Sequence, residues 1–478
     1  MRVTNSPSTG VAQRSDRADD AQPSHSAGPA PLKRLVGPFT IVCVGVGGAI
    51  GSGIFATPGE AALYIRSPWI ILALWVVAGF ATFLQSLVMA ELATRLPRAG
   101  GEYQFLKEAY GDFAGFFFGW AFTIFVVGAG GGTIAAAFGE FAASLFALEG
   151  RTPQIALGCG AVASVVILNA LGLRAGAVTQ NVLTALKVLA LLAMAVGAMV
   201  VAGRVTPILS VVEPEAAAPL TLQWLLVAYL PVFWPYTGAT DSAKLAEELR
   251  DVQRTMPRAL LASAAALTGI YVFFNYALFC ALTTSEMAGA RSAPALVFAG
   301  ANLPRLRELI LAVSAMICLG SISSVFLANI RVTYALARDG LTFRFLGRMS
   351  RAQAPVASLV VGGLLCCVFI ANRSFGEILR IYFLGSAALF AMSYASLLVF
   401  RRRDRRAGRG FPVGVFRVPV AGAIVALLII LEAGIAWSII HADYTAGRPD
   451  SLWTLALLAA LAILYGVWRK FAPAGSPK

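Results

Sequence analysis

The residues of this sequence best placed to do chemistry are ones with almost no side chain. Gly51-Ser52-Gly53-Ile54-Phe55, with Pro58-Gly59 close behind, interrupts one long apolar run, and Pro235-Tyr236-Thr237-Gly238 interrupts a second between Leu222 and Leu245. Glycine weakens a helix and proline removes a backbone donor. In hydrocarbon every N–H and C=O needs a partner, so a break at membrane depth requires a bound solute or a water-filled cavity to satisfy the freed groups. The start of a half-helix offers several free N–H groups and about +0.5 of partial charge, which suits a carboxylate without help from Arg or Lys. Ser52, Gly53 and Ile54 are placed to supply those N–H groups, with the Ser52 hydroxyl as a further donor. The ends of the opposing half-helices expose carbonyls, at Ala49 and Ile50 in the first break and at Phe233 and Trp234 in the second, which suit an ammonium group. An α-amino acid carries both groups on one carbon. It fits two facing half-helix ends better than an anion or a cation alone.

Lys187 is the other chemical feature, in the apolar setting Thr184-Ala185-Leu186-Lys187-Val188-Leu189. A charge at membrane depth costs roughly 3 kcal/mol or more, so it needs a partner and usually has a role.

These residues must be positioned by membrane-spanning helices. The chain has 478 residues, 58% apolar and 13% charged, against roughly 25% charged in soluble domains, and its mean hydropathy is +0.76. The apolar residues fall in runs near the ~20 needed to cross a bilayer. Twelve spans are expected, at about 36–60, 68–95, 112–147, 155–173, 180–202, 222–245, 257–282, 306–337, 355–372, 376–399, 418–440 and 452–469. With the N-terminus inside, most of the 38 Lys and Arg residues lie on cytoplasmic segments, above all in 401–417, so both termini are expected in the cytoplasm. The two broken spans are the first and the sixth. The expected fold is therefore an all-α membrane protein of twelve helices. Five helices (33–203) and five more (222–400) form an inverted repeat, discontinuous in its first and sixth spans, with two additional C-terminal helices (418–470). Residues 1–32 are polar and read as a disordered cytoplasmic tail.

The formal charge of +14 is first a topology signal and second a source of contact with anionic membrane lipid. No folded soluble domain exists to carry nucleic-acid binding. Six cysteines fall inside apolar spans with no metal-ligand spacing, and the two histidines, His25 and His441, fall in the tail and an outer loop. Neither metal nor cofactor is expected, and an intramembrane enzyme lacks its constellation. No Gly-rich Lys-Ser/Thr phosphate loop supports ATP-driven transport.

Four motifs occur in one order between about 36 and 400. They are Gly48-Ala49-Ile50-Gly51-Ser52-Gly53-Ile54-Phe55 with Pro58-Gly59; Leu96-Pro97-Arg98-Ala99-Gly100-Gly101-Glu102-Tyr103; Tyr236-Thr237-Gly238 leading to Glu247-Glu248-Leu249-Arg250; and Ala337-Arg338-Asp339-Gly340-Leu341. Together they resemble the amino acid–polyamine–organocation superfamily, and in flavour its bacterial L-type and serine/threonine exchangers. The usual Asn-Pro after the sixth helix reads Asp251-Val252 here. The resemblance implies carboxylate binding at Ser52, Gly53 and Ile54, amino-group binding near Ile50 and Trp234, an aromatic gate at Trp234 beside Thr237, and a side-chain pocket of Phe125, Val126, Gly130, Ser321 and Val325. It also implies that Lys187 stands where relatives hold a second sodium, facing carbonyls near Gly47 and Ile50 and the hydroxyl of Ser323 or Ser324. There it would couple protons or only brace the helices. With no Asp or Glu among the pocket residues, and with room left at Gly130, a neutral L-amino acid of medium or large size is expected, carried by an exchanger or a proton-coupled symporter in a bacterial inner membrane. The alternatives are a cationic amino acid or polyamine permease, and a sensor that binds without transport. The oligomeric state is open.

Overall fold

The structure is a computed structural model and describes residues 37–98, 100–171, 173–207, 221–290, 292–300 and 304–471; the tail 1–32 lies outside them. Among the described residues every regular element is helical. In chain order the α-helices are α1 (Pro38–Ala49), α2 (Gly53–Ala62), α3 (Pro68–Arg95), α4 (Glu102–Tyr110), α5 (Asp112–Leu145), α6 (Arg151–Ala170), α7 (Leu173–Ala202), α8 (Leu222–Phe233), α9 (Val252–Ala281), α10 (Thr284–Met287), α11 (Ala293–Gly300), α12 (Pro304–Arg338), α13 (Val356–Asn372), α14 (Phe375–Arg406), α15 (Ala421–Thr445) and α16 (Asp450–Phe471). Nine described helices are long and apolar enough to cross a membrane, and α1 with α2, bent by 41° at their junction, makes a tenth. Two further expected spans take shorter forms: α13 has 17 residues, and α8 stops after 12 at the second break.

Proline at the first turn starts α1 and α3, where its missing N–H costs nothing. Capping boxes start α10 at Thr283/Glu286 and α14 at Ser374/Glu377. The connection between α9 and α12 holds the short helices α10 and α11. His441, expected in a loop, lies inside α15, which runs five residues past the expected end of its span at 440.

α1 packs among α7, α9 and α12. Glycines make that approach possible, as small residues do between membrane helices. A Cβ at Gly45 would meet the Ala239 carbonyl at 2.8 Å, and one at Gly47 would collide with the Thr184 and Gln180 side chains. Aromatic and aliphatic side chains fill the remaining space in one large core cluster, with a smaller one at the end of the bundle that holds Leu245, Leu397 and Val418.

Candidate functional site

The two breaks touch. α1 ends at Ile50, whose ψ of 96° leaves the helical region, and α2 restarts at Gly53. α8 tightens into a 3-10 turn, Trp234–Tyr236, and Thr237 is extended (ψ 140°). Gly238 turns left-handed at φ +93°, and a Cβ there would meet the Gly48 carbonyl carbon at 3.2 Å. Glycine is therefore required at 238 both for its φ and for the approach of the first break. The chain then continues as a 3-10 helix, Asp241–Glu248, rather than as the second α-helical half that span 222–245 implied.

The first hydrogen bonds into α2 run from Phe55 and Ala56 to the Ser52 carbonyl, at 3.2 and 3.3 Å. The N–H groups before them, at Ser52, Gly53 and Ile54, form the positive end of the half-helix. The Ser52 hydroxyl is buried and makes no hydrogen bond in the structure. Both Ser52 and Gly53 line a cavity that spans the two breaks, together with Ala49, Val126, Gly130, Phe233, Trp234, Thr237 and Val325 of the expected site. Its volume, counted as space open to the centre of a water, is about 60 Å³, room for roughly five waters. That is the scale of an amino group, an α-carbon and a carboxylate.

Other expected residues lie elsewhere. Phe125 packs its ring onto Gly385 of α14 instead of lining the cavity. Phe122–Gly130 is a π-helix inside α5, from which Val126 and Gly130 line the cavity and Phe125 does not. Such π segments cluster at functional sites. The space beside Gly130, expected to hold a solute side chain, is taken by the Tyr382 ring, 3.1 Å from where a Cβ would stand. Trp234 is buried edge-on against Tyr382 at 5.0 Å and against Phe383 at 6.1 Å, and a Cβ at Gly53 would come within 2.6 Å of it.

Ser321 does not line the cavity either; it meets Lys187. The Lys187 ammonium donates to Gly47 O at 2.7 Å, Ile50 O at 3.0 Å and Ser321 Oγ at 2.7 Å. Ser323 and Ser324, the expected hydroxyls, are engaged otherwise. Ser323 Oγ accepts from Asn169 at 3.5 Å and Ser324 Oγ donates to Gly320 O at 3.2 Å. At about 100° per residue, Ser323 points far from the Ser321 direction and Ser324 lies a turn along the helix. The three donors of Lys187 are used, and its charge sits at the negative end of α1.

The carbonyls expected to take the amino group are partly occupied. Ile50 O accepts from Lys187 and from Ser321, and Trp234 O accepts from Thr237 N at 3.0 Å and Thr237 Oγ1 at 2.7 Å. Each carbonyl has two lone pairs, so neither has one to spare. Pro235 O accepts from the Tyr271 hydroxyl. Thr237 Oγ1, which faces the cavity and gives its proton to Trp234 O, keeps lone pairs for an incoming donor.

Three acids also line the cavity: Glu102, Asp241 and Glu432. The expectation of a pocket without carboxylates is thus corrected. Glu102 enters from the connecting helix α4 and Glu432 from α15. Asp241 pairs with Lys244 at 2.5 Å and accepts from Asn329 at 2.8 Å. Glu102 lies 3.4 Å from the same lysine. Burial pushes the Glu102 carboxyl above its usual range, while Lys244 pulls against it. Farther along, Glu248 pairs with Arg331 at 2.6 Å and Glu247 with Arg338 at 3.9 Å, both arginines on α12. Lys107 and the Tyr103 hydroxyl hold Asp339, at 2.6 and 2.8 Å.

The sequence profile of the amino acid permease family matches residues 36–467. The chain is 26% identical over 436 residues to "b(0,+)-type amino acid transporter 1" of Rattus norvegicus, covering 89% of this chain and 88% of that one. It is 25% identical over 451 residues to "Serine/threonine exchanger SteT" of Bacillus subtilis (strain 168), covering 92% and 98%. To "Large neutral amino acids transporter small subunit 2" of Mus musculus it is 28% identical over 338 residues, covering 68% and 62%.

Proposed function

The chain belongs to the amino acid permease family, and from that premise we propose that it is a secondary transporter that moves α-amino acids by alternating access around the cavity between its two breaks. It is an integral membrane protein and a transporter, not an enzyme. The observation that carries the reading is the Ser52 hydroxyl, buried and without a partner beside the N-terminal N–H groups of α2 and facing the cavity. A substrate carboxylate there would take the hydroxyl and the Gly53 and Ile54 N–H groups. The amino group would meet Thr237 Oγ1 and the Ala49 and Phe233 carbonyls, since Ile50 O and Trp234 O are in use. Val126, Ile134 and Val325 form an apolar wall for a neutral side chain, and Tyr382 with Phe383 must give way to a large one.

In this reading α8 with the 3-10 segment after it, and α13, complete twelve spans. Helices α1 to α7 and α8 to α14 form inverted halves, and both termini face the cytoplasm of a bacterial inner membrane. Lys187 stands in the place of a coupling cation. Protein reconstituted in vesicles, loaded with one amino acid and offered a labelled panel outside, tests the function. Uptake that requires internal amino acid identifies an exchanger, and uptake that follows an imposed proton gradient identifies a symporter. Binding without uptake in either condition identifies a sensor, and no response to any amino acid overturns the reading.

A further inference from the structure

Another pocket, of about 440 Å³ by the same measure, opens where α3 and α14 end and α15 begins. Six arginines line it, Arg95, Arg401, Arg402, Arg405, Arg409 and Arg417, against one carboxylate, Asp404. Its ion pairs run from Arg95 to Glu91 and Asp404 and from Arg401 to Glu91. Among the described residues Arg402, Arg405, Arg409 and Arg417 have no carboxylate partner. The Arg95 side chain is only 7% exposed, yet its Nη2 makes no hydrogen bond. The Phe411 ring gathers the guanidinium groups of Arg95, Arg417 and Arg401, at 4.9, 5.3 and 5.8 Å from its centre. The loop that carries Phe411 is fixed to α3, since Phe416 N donates to Thr94 Oγ1 at 3.2 Å and Val418 N to Glu91 at 2.8 Å. Like charges are thus held close by a fixed backbone, a cost that a bound anion removes.

We propose that this pocket binds the phosphodiester headgroup of an anionic membrane lipid. The planar fork of arginine takes phosphate oxygens in pairs, and basic pockets between membrane helices suit lipid phosphates. The free Nη2 of Arg95 supplies a buried donor, and the unpaired Arg402 and Arg409 close over the anion from outside. The loop points to a lipid as the source of the phosphate. Phe411-Pro412-Val413-Gly414-Val415-Phe416-Arg417-Val418-Pro419-Val420 carries a single charge, and Val413 and Val420 expose their side chains. Bare apolar side chains on a loop beside a basic pocket suit acyl chains next to their headgroup. The site is separate from the cavity between the breaks and holds whatever solute that cavity takes.

Phosphatidylglycerol and phosphatidylcholine with the same short acyl chains, titrated into the purified protein in detergent and counted by native mass spectrometry, test this without any transport assay. Phosphatidylglycerol is expected to bind about tenfold or more tightly, because phosphatidylcholine brings its own cation to the arginines. Arg402→Gln combined with Arg409→Gln removes two exposed charges that hold no carboxylate, and is expected to cut that preference by about tenfold. Arg469→Gln combined with Lys470→Gln removes the same charge from the end of α16 and is expected to leave the preference unchanged. Equal binding of the two lipids by the unaltered protein overturns the proposal. So does an equal loss in both double variants, which assigns the effect to charge spread over the surface. Glycerol 3-phosphate carries a phosphate ester without the chains; if it displaces phosphatidylglycerol at equal concentration, the site belongs to a soluble phosphate and the lipid assignment falls. If the first double variant does not fold, either single substitution takes its place.

Discussion

Lys187 holds three chain segments with three donors: the end of α1 through Gly47 O and Ile50 O, its own helix α7, and α12 through Ser321 Oγ. Removing the ammonium takes a donor from each of those carbonyls at membrane depth, leaving Ile50 O only Ser321 Oγ, and each lost charge-assisted bond is worth about 1.5–3 kcal/mol. Lys187→Ala is expected to lower initial uptake by tenfold or more, measured in vesicles with the amount of inserted protein matched. Ser321→Ala, which removes a single contact, should have the smaller effect. Lys187→Arg should not rescue, because a Cβ at Gly320 would already come within 2.7 Å of Lys187 Cε, which leaves little width for a guanidinium. At the break itself, Gly53→Ala puts a methyl 2.6 Å from Trp234 Cδ1 and 2.8 Å from Pro235 Cγ. Pro235 cannot yield without moving the second break, so uptake should fall at least as far as in Lys187→Ala. Undiminished uptake in Gly53→Ala would mean that Trp234 does not close over this position. That Lys187 needs partners was legible in the sequence, because a lone charge in an apolar run admits few explanations. Which hydroxyl it finds was not, because Ser321, Ser323 and Ser324 differ only by the rotation of α12, which packing decides.

At the scale of elements, both breaks were legible for the same reason: glycine and proline have fixed backbone consequences wherever they stand. The winding on either side was less so. The π-helical stretch Phe122–Gly130 and the 3-10 stretch Asp241–Glu248 depend on contacts across the bundle. Gly130 lies against Tyr382, and the ion pairs of Asp241 and Lys244, and of Glu248 and Arg331, hold the second segment. The helices α3 and α14 are joined at one end by Glu91. It is fully buried and accepts from Arg95 at 3.0 Å, from Arg401 at 2.9 and 2.5 Å, and from Val418 N at 2.8 Å. Truncating one member of such a buried network costs about 3–5 kcal/mol. Glu91→Ala is therefore expected to lower the melting temperature in detergent by about 5 °C or more, while Glu91→Gln, which keeps an acceptor, loses less. A melting curve unchanged in Glu91→Ala would remove this junction from the account of stability.

Across the whole molecule, one set of ion pairs ties α4, the stretch after the second break, and α12. Its members are Lys107 with Tyr103 on Asp339, Arg331 on Glu248, Arg338 near Glu247, and Lys244 between Asp241 and Glu102. Alternating access around the cavity requires these segments to separate on one side. Asp339→Asn is expected to favour that separation and so to raise the rate at which an Asn329→Cys variant reacts with a membrane-impermeant thiol reagent from that side. The check is a labelling time course in a background without the six native cysteines, and an unaltered rate would show that the set does not act as a latch. The acids of the cavity were the least legible part of the molecule, because Glu102 and Glu432 reach it from the connecting helix α4 and from α15, far along the chain from the two breaks. In the proposed binding mode the constant part of every substrate meets peptide groups of the two unwound segments together with the Ser52 and Thr237 hydroxyls. Substitutions in the apolar lining, at positions such as Val126 and Val325, leave all of those groups in place. A lineage built on this scaffold can therefore exchange one diet of amino acids for another while keeping its grip on the zwitterion.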